Sequence, residues 1–141
     1  MQTAETAKAS ERAWFVGLLS LGGAAASSAL VSEGTSAVAY VLLGLLIVGA
    51  ALAGLHKRIH GFLHRLGGRW LAGFLAVFVP LGGTVVFALY PVGIGFALAV
   101  GVPLDTKFIV VAAVSALLCL ANLAALVVNT AAILGNRQSR S

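Results

Sequence analysis

Four long runs without a charged residue constrain this chain more than any other feature of its sequence. They cover residues 14–31, 37–55, 70–89 and 108–134. A bilayer has a hydrocarbon core about 30 Å thick, which a helix of about 20 apolar residues can cross. A helix also bonds its own backbone groups, as a chain in hydrocarbon must. The runs therefore predict four membrane-spanning helices.

The composition excludes an ordinary soluble domain of this length. The chain has 141 residues, of which 60% are hydrophobic and 9% are charged. A soluble domain has roughly 25% charged residues, because its surface must stay hydrated. We therefore predict an all-α integral membrane protein, a four-transmembrane-helix bundle in a single membrane domain. The only cysteine is Cys119, which excludes an intramolecular disulfide.

Residues 90–106 are apolar but are interrupted by glycines and prolines. The stretch between Pro91 and Pro103 has eleven residues, too few to cross a bilayer. We predict an outer Gly/Pro-rich loop here, interfacial or partly re-entrant. A chain with five spans is the alternative.

The distribution of basic residues favours four spans. With the N-terminus inside, eight of the nine Lys and Arg residues fall on the inner side: Lys8, Arg12, Lys57, Arg58, Arg65, Arg69, Arg137 and Arg140. Only Lys107 falls outside, whereas five spans would place seven inside and two outside. Inner loops of membrane proteins are enriched in Lys and Arg. We therefore predict both termini inside, in a cytoplasmic membrane or a virion envelope.

The small residues of the first run allow two interpretations. The stretch 24–29, AAASSA, is similar to the cleavage site of a signal peptide, and cleavage would leave three spans. Alternatively, small residues let two helices approach closely. In that case we expect Gly23 and Ser27 to pack against Ala50 and Gly54 of the second helix.

The last run carries polar residues at a regular spacing. Ser115, Asn122 and Asn129 are seven residues apart, and Asn136 continues the series. A seven-residue repeat keeps one helical face towards a neighbour. An amide in hydrocarbon needs a hydrogen-bond partner. We predict a polar packing seam inside the bundle; a stripe that lines a water path is the alternative.

Residues 55–70, LHKRIHGFLHRLGGRW, interrupt the apolar runs. Apolar side chains recur here at spacings of three and four, at Leu55, Ile59, Phe62, Leu63 and Leu66. Basic side chains occupy other positions, at Lys57, Arg58, Arg65 and Arg69. This pattern predicts a short basic amphipathic helix within the inner connection 56–69, lying in the headgroup region. Its partners would be anionic lipid headgroups, or nucleic acid through phosphate contacts.

The three histidines, His56, His60 and His64, follow one another at four-residue intervals. Imidazoles at this spacing can bind zinc, nickel or copper. However, Gly61 weakens a helix here, no cysteine or carboxylate lies nearby, and the basic side chains repel cations. The histidines are therefore weak candidates, and we predict no metal site and no cofactor.

The sequence contains none of the common catalytic motifs, such as a phosphate loop, HExxH or GxSxG. Glu33 and Asp105 are the only acids beyond the N-terminal segment. Both fall on the outer side, away from the histidines. We therefore predict that the protein is not an enzyme.

In overall plan the chain resembles the small internal membrane proteins of pleomorphic archaeal viruses. They likewise have several spans, and they line the inner side of a lipid envelope. The resemblance covers no motif, so it assigns no residue. It implies a structural or assembly protein in a homo-oligomer or larger membrane assembly. The alternatives are a pore, holin-like or small transporter subunit that uses the polar stripe, and an accessory subunit of a larger complex.

Overall fold

A computed structural model describes residues 2–138 of the chain, with side chains at 4–135 and at Gln138. This part is helical, with α1 (Gln2–Val31), α2 (Thr35–Leu52), α3 (Leu55–Ala99) and α4 (Thr106–Gln138). All four helices are long and apolar enough to cross a membrane. The predicted all-α, four-helix fold class is confirmed.

Glycines in backbone conformations that other residues avoid set the turns between the helices. Gly34, before α2, has φ 63° and ψ −137°, and Gly54, after α2, is left-handed with φ 94°. The Gly54 N–H donates to the Ala51 carbonyl at 3.2 Å, which caps the end of α2. A side chain at either glycine would strain the backbone.

Gly68 divides α3 into two helical parts. Its φ of 66° and ψ of −158° lie outside the helical region and are accessible essentially to glycine alone. Residues 55–67 before it are called the basic helix below, and residues 69–99 form one long apolar helix. All but the first residue of the basic helix falls within the connection 56–69, where the sequence predicted an amphipathic helix.

The predicted outer loop at 90–106 is wrong over its first ten residues, because α3 continues through Pro91 to Ala99. Prolines and glycines are tolerated in membrane helices, where an unwound backbone would leave polar groups unpaired. The helix ends where the Gly101 N–H donates to Leu98 O at 3.1 Å and the Val102 N–H donates to Ala97 O at 2.9 Å. This pair of bonds is a Schellman motif with left-handed Gly101. Residues 69–99 do not reverse, so no fifth span forms.

Contacts between the helices establish their relative directions. Arg12 and Ser20 of α1 bond to Asn129 and Asn122 of α4, so these two helices are antiparallel. Asn129 bonds to both Ala9 of α1 and Ala76 of α3, and a Cβ on Gly73 would lie 3.9 Å from Thr6, so residues 69–99 run parallel to α1. The N-terminus of α1, the basic helix and the C-terminal part of α4 therefore share one end, called the basic end below.

The packing of α1 on α2 differs from the prediction. A Cβ built at Gly23 would meet Leu118 of α4, and one at Gly54 would meet no atom within 4 Å. The close approach instead joins Gly22 and Gly44, where a Cβ on Gly44 would lie 3.2 Å from the Gly22 carbonyl oxygen. Successive helical residues point about 100° apart, so a shift of one residue turns Gly23 to a different neighbour.

Candidate functional site

Asn129 lies where three helices meet and is fully buried. Its Nδ2 donates to the carbonyls of Ala9 on α1, at 2.9 Å, and Ala76 on α3, at 2.8 Å. Its Oδ1 accepts a hydrogen bond from Arg12 Nη1 at 2.8 Å. A single amide therefore joins α1, α3 and α4 near the basic end.

The bond to Ala76 has a specific cause in the sequence of α3. Pro80 lies four residues further on and has no N–H to donate to the Ala76 carbonyl. Asn129 donates to that carbonyl from the neighbouring helix. The proline and the asparagine therefore form one packing unit, since one leaves an acceptor open and the other fills it.

Asn122 lies seven residues before Asn129 on α4, closer to the opposite end of the bundle, and its amide also joins α4 to α1. Its Nδ2 donates to Ser20 Oγ on α1 and to the Leu118 carbonyl on its own helix, both at 2.8 Å. A Cβ at Gly83 would overlap the Asn122 amide, so this glycine lets α3 and α4 close around it. Ser115 is buried as well. The three described members of the polar series thus lie in the core; the side chain of Asn136 lies outside the described residues.

The basic helix packs along the N-terminal half of α1. The ring of His56 meets the ring of Phe15 edge-on at 5.1 Å between centroids. Further along, residues 60–65 lie beside Thr6 and Ala7. Residue numbers increase along the basic helix while those of its neighbours in α1 decrease, so the two helices are antiparallel. This docking was not predicted from the sequence, which treated the basic helix as lying flat in the headgroup region.

A cavity of about 370 Å³ lies between these two helices and the start of residues 69–99. Its lining combines two arginines and two histidines with small residues: Thr6, Ala7, His60, Gly61, His64, Arg65 and Arg69. No carboxylate lies among the described residues that line it. The Nδ1 atom of His60 is buried, with no hydrogen-bond partner in the described part of the chain. The cavity therefore concentrates donors and cationic groups.

The four basic residues predicted as polyanion contacts separate into two pairs. Arg65 and Arg69 line the cavity and Lys57 and Arg58 lie outside it, and all four residues are exposed. Lys8 and Arg12 share the basic end with Glu5 and Glu11, while Glu33, Asp105 and Lys107 lie at the opposite end. The side chains of Arg137 and Arg140 lie outside the described residues.

The histidines do not form a common cluster. His56 Nδ1 lies 3.2 Å from the Ala51 carbonyl, and its ring packs on Phe15. The rings of His60 and His64 are adjacent, with centroids 5.9 Å apart. Within the described residues, no three His, Cys, Asp or Glu side chains are grouped so that they could hold a metal ion.

An aromatic ladder follows the basic helix on the outer surface of α3. Trp70 stacks on Phe74 at 5.8 Å, and Phe74 stacks on Phe78 at 5.3 Å, with interplanar angles of 9° and 15°. Trp70 is 77% exposed in the isolated chain. Tryptophan is enriched at the boundary between headgroups and hydrocarbon. The ladder therefore suits a lipid-facing surface that begins at this boundary.

Sequence reasoning missed three contributors to these sites. Arg12 bonds to a residue 117 positions away, and no local pattern indicates such a pair. Thr6 enters the cavity only because the basic helix docks on α1. Ala76 could have been found, since it lies four residues before Pro80 and its carbonyl therefore has no N–H partner along the helix.

No protein-family model, curated protein or solved structure matches this chain. Function is therefore inferred from the residues of the chain itself.

Proposed function

We propose that this chain is a non-enzymatic structural or assembly protein of a membrane, whose basic end binds anionic lipid headgroups on the inner side. One observation carries the proposal: six described Lys and Arg residues gather at one end of a four-helix bundle, namely Lys8, Arg12, Lys57, Arg58, Arg65 and Arg69. Each basic group near an anionic membrane surface contributes about 1 kcal/mol of attraction.

The polar core supports a packing role over a pore. Asn122 and Asn129 direct their amides to groups on neighbouring helices, at distances of 2.8 to 2.9 Å. Side chains that bond to one another stabilise helix association in a bilayer by about 0.6–2 kcal/mol each. Such bonds would compete with water if the same side chains lined a conducting path.

The apolar surface of α2 offers a contact face for assembly. Along α2 only Gly44 and Ala51 are buried, while Leu42, Leu45 and Leu46 are more than half exposed. Lipid or a second copy of the chain can cover this face. A viral envelope, where proteins of similar overall plan occur, is one membrane in which such an assembly would serve.

The proposal is tested with the full chain in mild detergent, by native mass spectrometry after incubation with phosphatidylglycerol or phosphatidylcholine. Retention of phosphatidylglycerol over phosphatidylcholine is the expected result. Changing Lys57, Arg58, Arg65 and Arg69 together to Gln should abolish that preference, whereas Lys107→Gln, at the opposite end, should preserve it.

Equal retention of both lipids by the unaltered chain would overturn the proposal. Capture of single-stranded DNA at physiological salt, without any lipid preference, would replace lipid by nucleic acid as the partner. Release of a trapped dye from vesicles, reduced by Asn122→Leu, would instead establish a pore.

A further inference from the structure

The cavity at the basic end has the composition of an anion site. The guanidinium groups of Arg65 and Arg69 come from either side of the Gly68 bend, so the bend brings both to one cavity. A guanidinium presents a planar set of N–H donors that matches two oxygens of a phosphate. The His60 and His64 rings add further polar groups, and among the described lining residues no carboxylate competes for the arginines.

The cavity also has room for a ligand larger than a single ion. Its volume of about 370 Å³ falls within the range of about 300–1,000 Å³ that is typical of small-molecule sites. Gly61 contributes to this space, because a Cβ built there would meet no atom within 4 Å. His60, whose Nδ1 has no hydrogen-bond partner in the described part of the chain, is one of the residues that line this space.

We propose that this cavity is a discrete site for the phosphate group of an anionic phospholipid headgroup. This inference rests on the proposed function and deepens it, because it replaces a diffuse basic surface by one site. Arg65 and Arg69 bind the phosphate oxygens, and His60 and His64 contact the rest of the headgroup.

The surroundings of the cavity favour a lipid as the source of the phosphate. Phe62 and Leu66, on the other side of the basic helix, are 61% and 67% exposed. Trp70 follows directly after Arg69 and starts the exposed aromatic ladder. Exposed apolar side chains beside a basic cavity suit a ligand that has both a phosphate group and acyl chains.

The first test compares two variants with equal loss of charge. Arg65→Gln with Arg69→Gln removes the cavity pair, and Lys57→Gln with Arg58→Gln removes the pair outside it. We expect the first variant to weaken phosphatidylglycerol binding by about tenfold or more, since each arginine makes charge-assisted bonds. The second should weaken it only about twofold. Equal effects of the two variants would overturn the discrete site while leaving the proposed function intact.

The second test fills the cavity without changing charge. Gly61→Leu places a side chain in the open space, whereas Gly49→Leu places one on α2, where a Cβ also meets no atom within 4 Å. Gly61→Leu should weaken phosphatidylglycerol binding by about tenfold, and Gly49→Leu should leave it unchanged. Undiminished binding by Gly61→Leu, in protein that melts no earlier than the unaltered chain, would refute the cavity as the site.

A competition experiment distinguishes a lipid headgroup from free inorganic phosphate as the ligand of the cavity. Inorganic phosphate at matched ionic strength, with sulfate as the control anion, should displace little bound phosphatidylglycerol if the site recognises a whole headgroup at a membrane surface. Efficient displacement by inorganic phosphate alone would contradict the assignment to lipid. Absence of any phosphatidylglycerol preference in the unaltered chain would defeat the proposed function itself, a result separate from these.

Discussion

Pro80 has no N–H for the carbonyl of Ala76, and Asn129 of α4 supplies the donor at 2.8 Å. The same amide accepts a hydrogen bond from Arg12 and donates to Ala9, so three helices depend on one side chain. At this scale the sequence predicts which residues are polar and share a face. It does not predict their partners, because Arg12 and Ala9 lie more than 100 positions from Asn129.

The pairing of Asn129 with the proline-created acceptor predicts a measurable coupling. Asn129→Leu should lower the free energy of unfolding by about 1–3 kcal/mol, since buried groups lose their partners. In a Pro80→Ala background, the backbone N–H gained at position 80 can donate to the Ala76 carbonyl along the helix. The cost of the same asparagine change should then be smaller by about 0.6 kcal/mol or more.

Reversible unfolding in mixed detergent micelles gives the free energy of unfolding of the unaltered chain, the two single variants and the double variant. The single variants serve as controls for changes in packing that each substitution causes alone. An identical cost of Asn129→Leu in the two backgrounds would show that the asparagine does not compensate for the proline.

At the scale of the helices, hydropathy predicts four elements but not their ends. The apolar runs identify the spans, yet α1 begins twelve residues before its run and α3 continues ten residues beyond residue 89. Charged residues at helix ends lie outside the hydrocarbon, so an uncharged run marks the span and not the helix. Glycine and proline were misleading at 90–99, because their usual preference for turns holds in water and is overridden in lipid.

The contact between α1 and α2 was predicted at Gly23 and Gly54, which are the wrong glycines. Small residues at intervals of four occur on more than one face of α1, and sequence alone does not choose between them. The structure uses Gly22 and Gly44. The docking of the basic helix on α1 was also beyond prediction, since it depends on the left-handed bend at Gly54 and the second bend at Gly68.

Gly44→Leu should therefore separate α2 from α1. The new side chain would press on the Gly22 carbonyl, which is backbone and cannot move aside, at a cost of about 1–3 kcal/mol. Gly49→Leu, in open space on the same helix, provides the matched control and should leave stability nearly unchanged. Thermal unfolding in detergent compares the two; similar melting temperatures would contradict the Gly22–Gly44 contact.

At the scale of the whole molecule, the fold separates most of the basic residues, together with Glu5 and Glu11, from Glu33 and Asp105. The up-and-down course of the helices brings the N-terminus, the basic helix and the end of α4 together, while Glu33 and Asp105 lie in the turns at the opposite end. The sequence predicts this separation once the number of spans is known, because each span reverses the chain. The cavity could not be predicted from the sequence, because its lining comes from three helical segments that only the fold brings together.

The most direct test of the account is the accessibility of single cysteines to a membrane-impermeant maleimide in intact cells. Cys119 is first replaced by Ser, which can keep the hydrogen bond to Thr84 O. Glu33→Cys and Asp105→Cys should react from outside, because both turns face outwards under the positive-inside rule. Arg58→Cys and Gly135→Cys should react only after the cells are permeabilised. Reaction of Gly135→Cys in intact cells, or protection of Asp105→Cys, would contradict four spans with the basic end inside.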